Sequence, residues 1–167
     1  ARARLNTRRA DLPVQYQLEL LLTGAIMLFS HMRIARPVSE LDATASMYCA
    51  GLGLQQLGSF TDHEGFSGIM LGAPDAGWHL EFTHCRHHPV TPSPGDEDLL
   101  VLYYPQQAEW QAQCAAMDAA GFLRVTAFNP YWEVNGVTFV DRDGYRTVLQ
   151  NRAWGEVRSA SDHEESQ

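Results

Sequence analysis

The chain contains no lysine at all: its twelve basic residues are arginines, and four of them fall in the first nine positions. The remaining body is therefore more acidic than the net charge of −8 states, and it carries no basic stripe. That excludes the electrostatic footprint of a nucleic-acid surface. Cysteine is scarce too. Cys49, Cys85 and Cys114 have no paired spacing, which leaves no disulfide framework and no zinc knuckle, and fits a reducing, cytoplasmic compartment. No GxSxG elbow and no phosphate-binding glycine loop occur. Long apolar runs are missing as well. The nearest, Leu18–Phe29, is interrupted by Glu19 and Thr23 and is too short to span a bilayer. It follows a cluster of arginines as in a secretory signal, but Ser30-His31-Met32 offers no small-x-small cleavage site. Residues 1–31 read as an extension upstream of the domain, helical over Leu12–Phe29.

What is present is a repeat. Leu41–Ala50 has helical spacing, Gly51-Leu52-Gly53 ends it, and Leu54–Phe60 reads as a strand. In the second half Ala108–Ala120 is helical, Gly121 ends it, and Phe122–Phe128 reads as a strand. A glycine just past a helix supplies the left-handed residue that closes it. Gly53 to Phe60 is seven residues, as is Gly121 to Phe128; Gly53 to Gly68 is fifteen, as is Gly121 to Gly136. Each second glycine opens an apolar strand, Ile69-Met70-Leu71 or Val137-Thr138-Phe139. Both halves then turn through Asp and Gly, at Pro74–Gly77 and Asp141–Gly144, into a last strand, Trp78–Thr83 or Tyr145–Gln150. A further strand precedes each helix, Arg33–Pro37 and Asp98–Tyr104. Strand, helix and three strands thus occur twice.

One such module lacks the core to stand alone, so the two pair. The expected organisation is an extension at 1–31, a module at 32–83, a proline-rich linker at 84–97, a module at 98–152 and an acidic tail at 153–167.

The closing hairpin, GVTFVDRDGYRTVLQ over Gly136–Gln150, has an acidic turn followed by Gly-Tyr-Arg. With the repeat order, it resembles the vicinal oxygen chelate superfamily over roughly Met32 to Arg152. That group includes glyoxalase I, extradiol dioxygenases, and fosfomycin and bleomycin resistance proteins. The resemblance implies an α+β fold, two tandem βαβββ modules forming a curved mixed sheet around a concave cavity, and a homodimer. It also implies four metal-holding positions, on the first and fourth strands of each module. Carried over one by one, they are Arg33, Glu81, Asp98 and Val148.

Arginine has no lone pair to donate and stays protonated, and valine offers nothing. Two carboxylates remain, enough only for a weak, hard-ion site. The expectation is a protein without the family's metal, in which Arg33 pairs with Glu81 and Asp98 joins as a second carboxylate. The alternative is a lyase, isomerase or dioxygenase holding Zn, Ni, Mn or Fe at Glu81, Asp98 and a nearby histidine. His79 shares a strand face with Glu81, whereas His84, His87 and His88 fall in the linker. Arg146 lies beside the fourth-ligand position. The Asn129-Pro130-Tyr131-Trp132 segment makes a stiff aromatic loop, which either rims the cavity or caps the core. The ligand-binding candidates are accordingly Arg33, His79, Glu81, Asp98, Tyr131, Trp132 and Arg146, and the function they indicate is binding of a small organic ligand.

Overall fold

Alternating apolar residues and glycine-closed helices build the same unit twice in the computed structural model, which describes residues 29–155. The helix expected over Leu12–Phe29 and the tail expected at 153–167 fall, Phe29 and residues 153–155 aside, outside the described residues. The first module consists of β1 (Met32–Pro37), α1 (Leu41–Leu52), β2 (Gln55–His63), β3 (Phe66–Gly72) and β4 (Trp78–Cys85). The second consists of β5 (Leu99–Tyr103), α2 (Gln107–Ala119), β6 (Leu123–Val125), a 3-10 turn (Pro130–Glu133), β7 (Gly136–Val140) and β8 (Arg146–Gln150). Each module forms its own four-stranded mixed sheet, ordered β1-β4-β3-β2 and β5-β8-β7-β6. In each the first strand runs parallel to the fourth and the remaining pairs are antiparallel.

The matching glycines have matching causes. Gly53 and Gly121 take φ of +68° and +91°, the left-handed backbone that ends each helix and that a side chain would strain. Gly68 and Gly136 leave no room for a Cβ. At Gly68 it would lie 2.5 Å from the Phe60 ring; at Gly136 it would meet the Gln150 amide and, at 2.6 Å, the Trp132 carbonyl oxygen.

Helices α1 and α2 pack side by side, and their sides of both sheets close on one core. Tyr48 stands at its centre, fully buried, with ring centroids 4.7 Å from Phe82 of its own module and 5.1 Å from Phe122 of the other. Leu71, Leu80, Met117, Phe139 and Leu149 complete it. Each fully buried side chain of this size contributes about 1.5–3 kcal/mol. The modules are also latched by polar contacts. The Tyr48 hydroxyl donates to Asp141 Oδ2 (2.9 Å), Tyr145 donates to the Pro37 carbonyl (2.8 Å), and Ser39 donates to Asp143 through both its amide and its hydroxyl.

Several element boundaries differ from expectation, β4 and β6 among them. β4 runs to Cys85, two residues past Thr83, so His84 belongs to a strand and not to the linker. β6 is three residues long where Phe122–Phe128 reads as a strand. Local side-chain bonds compete with the ladder there: Asn129 Oδ1 accepts from the Tyr131 amide, and Glu133 Oε1 from the Ala127 amide.

Candidate functional site

Strand alternation sends the core-facing residues of β1 and β4 toward α1 and α2 and leaves Arg33, Ala35, His79 and Glu81 on the face turned away from those two helices. Across the parallel ladder Arg33 is the partner of His79, and Ala35 of Glu81. Arg33 Nη1 lies 2.8 Å from Glu81 Oε2, and Arg33 Nε donates to His79 Nε2 at 3.0 Å. Because a guanidinium can only donate, this contact uses the lone pair of His79 Nε2. The Glu81 contact is ionic more than directional, since no donor is aligned on Oε2 as a hydrogen bond. The Glu81 side chain is 7% exposed and that of Arg33 56%, so a buried carboxylate is met from the solvent side by a cation.

Asp98 does not join this pair. In the second module the register that matches Arg33 with His79 matches Leu99 with Arg146. Asp98 therefore precedes the corresponding position by one residue, and such an offset turns a side chain to the other face. Its carboxylate lies 3.7 Å from Arg36 Nη2. Arg36 itself is buried on the core side of β1, its guanidinium 4.7 Å from the centroid of the Tyr145 ring. The four positions that would hold a metal are thus Arg33, Glu81, Leu99 and Val148, and Val148 is fully buried against Val101 and Thr138 across the ladders. This set does not fit a divalent ion. One carboxylate remains, and a guanidinium already occupies it.

The histidine constellation does not converge either. His84 alternates to the face opposite Glu81. The His87 ring covers Gly65 in the β2–β3 turn and sits 3.3 Å from Arg86 Nη2. Among the described residues no three His, Cys, Asp or Glu side chains are grouped to hold a metal. Among them, too, no helix is long and apolar enough to cross a membrane.

On the face of the second sheet turned away from α1 and α2, Arg146, Val148 and Gln150 alternate along β8 beside Thr138 and Gly136 of β7. Arg146 Nη2 is engaged by Asp96 Oδ1 at 2.5 Å. Tyr131 and Trp132 meet edge to face, their centroids 4.9 Å apart. Trp132 is half-buried, and its indole Nε1 is buried without a partner. Tyr103 approaches Trp154 at 5.5 Å; burial and the nearby Tyr131 raise its phenol pKa. Sequence reasoning did not single out Gln150, Thr138 or Tyr103 on or near this face. Alternation along β8 puts Gln150 on the face of Arg146 and Val148, but nothing local marks the other two.

Arg36, Tyr48, Asp141 and Tyr145 were likewise not singled out. Burial pushes the Asp141 carboxyl above its ordinary value against the pull of the Asp143 and Tyr145 amides and the Tyr48 hydroxyl; burial also raises Tyr48, with Asp141 adding to it.

The same arrangement of modules is found in glyoxalase I from Leishmania major, 20% identical with a TM-score of 0.57 over 78% of this chain and 91% of that one. FosX, a fosfomycin resistance protein from Mesorhizobium loti, is 10% identical with a TM-score of 0.58 over 81% and 99%. The fold is that of the vicinal oxygen chelate superfamily. A nearer relative is YycE of Bacillus subtilis, 40% identical over 122 residues, 73% of this chain and 88% of that protein. Its crystal structure, described as that of a protein of unknown function and a candidate glyoxalase/fosfomycin resistance protein, superposes with a TM-score of 0.68, covering 73% of this chain and 89% of that one. Residues 32–83 match the YycE-like N-terminal domain and residues 97–151 the YycE-like C-terminal domain; the chain belongs to the YycE-like family.

Proposed function

We propose that this chain binds a small organic ligand, without a divalent metal, on the sheet faces turned away from α1 and α2. The observation that carries this reading is the Arg33 guanidinium, 2.8 Å from Glu81 and 3.0 Å from His79, where related folds of this superfamily would place a cation. A fixed positive charge supplied by the chain removes the need for an ion and repels one that approaches. It does not supply the open coordination positions or the activated water of a metal enzyme. What remains is recognition: the exposed edge of a guanidinium in the first module, and aromatic surface with buried hydrogen-bonding groups in the second. Fold neighbours named for enzymes and for resistance proteins share the architecture, so the fold alone does not choose between these activities.

Ligand-observed NMR against a panel of small aromatic compounds, run with and without EDTA, tests this. Compounds that bind should bind equally in both conditions. A panel without a single binder, or binding abolished by EDTA, refutes the reading.

A further inference from the structure

Glycines shape the sheet face on which Arg33 stands. Met70 is the ladder partner of both Glu81 and Gly58, and Phe60 is the partner of Gly68, so all of these lie on the face turned away from α1 and α2. Gly72, two residues past Met70, shares it. A glycine leaves a hollow in such a face, and each hollow here is filled by a side chain laid over it. A Cβ at Gly58 would lie 3.1 Å from Met70 Cε, one at Gly68 2.5 Å from the Phe60 ring, and one at Gly72 3.0 Å from Leu57 Cδ1. The irregularity in β2 between Gln56 and Gly58 brings Leu57 to this side. Met70 and Phe60 are half-buried, and Leu57 is exposed. A thioether, an aromatic ring and a branched alkyl group thus lie flat across β2 and β3 as an apolar floor.

The guanidinium stands beside this floor. Arg33 rises from the edge strand β1 and bends over β4, where His79 holds its Nε and Glu81 its Nη1. Among the described residues nothing engages Nη2, so one nitrogen of the fork is left for a ligand. Glu81 is nearly sealed behind the half-exposed guanidinium, and an approaching molecule meets the positive charge first. A cation is turned away, a neutral acceptor gains an ordinary hydrogen bond, and an anion gains a charge-assisted one. Strand spacing sets the size. From β4 the floor begins one strand away at Met70 and ends two strands away at Leu57 and Phe60, roughly 10 Å in all.

We propose that this face of the first module takes a two-ring aromatic carboxylate. The carboxylate meets Arg33 Nη2, and the rings lie over Met70 with Leu57 and Phe60 at the far end. Contact between the Met70 sulfur and an aromatic ring favours such a body over an alkyl chain. The inference rests on the ligand-binding reading above and names the ligand class that Arg33 selects.

The test is a titration of the full chain, in EDTA, followed by NMR of methionine methyl groups labelled with carbon-13. The Met70 resonance is assigned by its loss in Met70→Leu. The probes are β-naphthoate and, as its uncharged counterpart of the same shape, β-naphthamide. β-Naphthoate should shift the Met70 methyl saturably at millimolar concentration, and β-naphthamide should bind about tenfold more weakly, the difference between a charge-assisted and a neutral hydrogen bond. Arg33→Gln combined with Glu81→Gln removes the guanidinium without leaving a buried charge unpaired, and should abolish the preference for the acid. Equal binding of both probes to the wild type, a Met70 methyl unmoved at tens of millimolar β-naphthoate, or a preference retained in the double variant would overturn the proposal. If other compounds still bind in EDTA while this titration fails, the ligand class is wrong and metal-free binding stands.

Discussion

Removing the Asp141 carboxylate should unlatch the two modules. Its Oδ1 accepts from the Asp143 and Tyr145 amides, both at 2.9 Å, and its Oδ2 from the Tyr48 hydroxyl at 2.9 Å. Asp141→Ala leaves the Tyr48 hydroxyl and the Tyr145 amide buried without an acceptor, at about 1–3 kcal/mol each. The Asp143 amide is only partly buried and regains water at little cost. Against this, the variant no longer buries a carboxylate whose pKa burial has raised. The net expectation is a loss of about 2–4 kcal/mol, or a fall in Tm of roughly 6–12 °C for a chain of this size. Asp141→Asn keeps an acceptor for the amides, and the Tyr48 hydroxyl can turn to accept from the new NH2, so it should cost less than about 1 kcal/mol. The pH dependence separates the two further. A carboxyl whose folded pKa is raised binds its proton more tightly in the native state. Its contribution to stability therefore falls as pH rises from about 4 through the raised folded value. Asp141→Asn should flatten that slope. Urea unfolding followed by circular dichroism across pH 4–8 reads both effects. An Asp141→Ala cost below about 0.5 kcal/mol, or an Asn variant as damaged as the Ala variant, would refute the latch.

Other expectations follow from named contacts. Gly136→Ala should destabilise by at least about 1–3 kcal/mol, because its Cβ has backbone at 2.6 Å, while Gly77→Ala, with nothing within 4 Å, should be close to neutral in the same denaturation assay. Arg33→Ala leaves the buried Glu81 without its cation and should cost about 1–2 kcal/mol, tempered by the exposure of Arg33, whereas Glu81→Gln should cost less because Arg33 can turn to solvent. A chain beginning at Met32 should keep its Tm within a few degrees by calorimetry, since Met32 onward forms one compact unit; a large drop would show that residues 1–31 stabilise it.

The repeat was legible because the residues that set it act locally. Gly53 and Gly121 end helices through their own backbone angles, and Gly68 and Gly136 sit where a Cβ has no room. The proximity of Arg33 to Glu81 was legible for a related reason, since strand alternation and module order place both on one face. Asp98 was misplaced by a single residue, because a ladder register is fixed by pairing across strands that one sequence does not display. The short β6 depended on side chains bonding to nearby backbone, which a strand-like apolar pattern over Phe122–Phe128 concealed. The Tyr48–Asp141 bond joins residues 93 apart, and no local pattern signals it.

The central claim is that a guanidinium stands where a metal would. Elemental analysis of the untagged protein, as purified and again after dialysis against EDTA, tests it most directly. The account predicts Zn, Ni, Mn and Fe far below one equivalent per chain in both samples, with Tm unchanged by the dialysis. One equivalent of any of these metals, retained by the wild type and lost in Glu81→Gln, would contradict it.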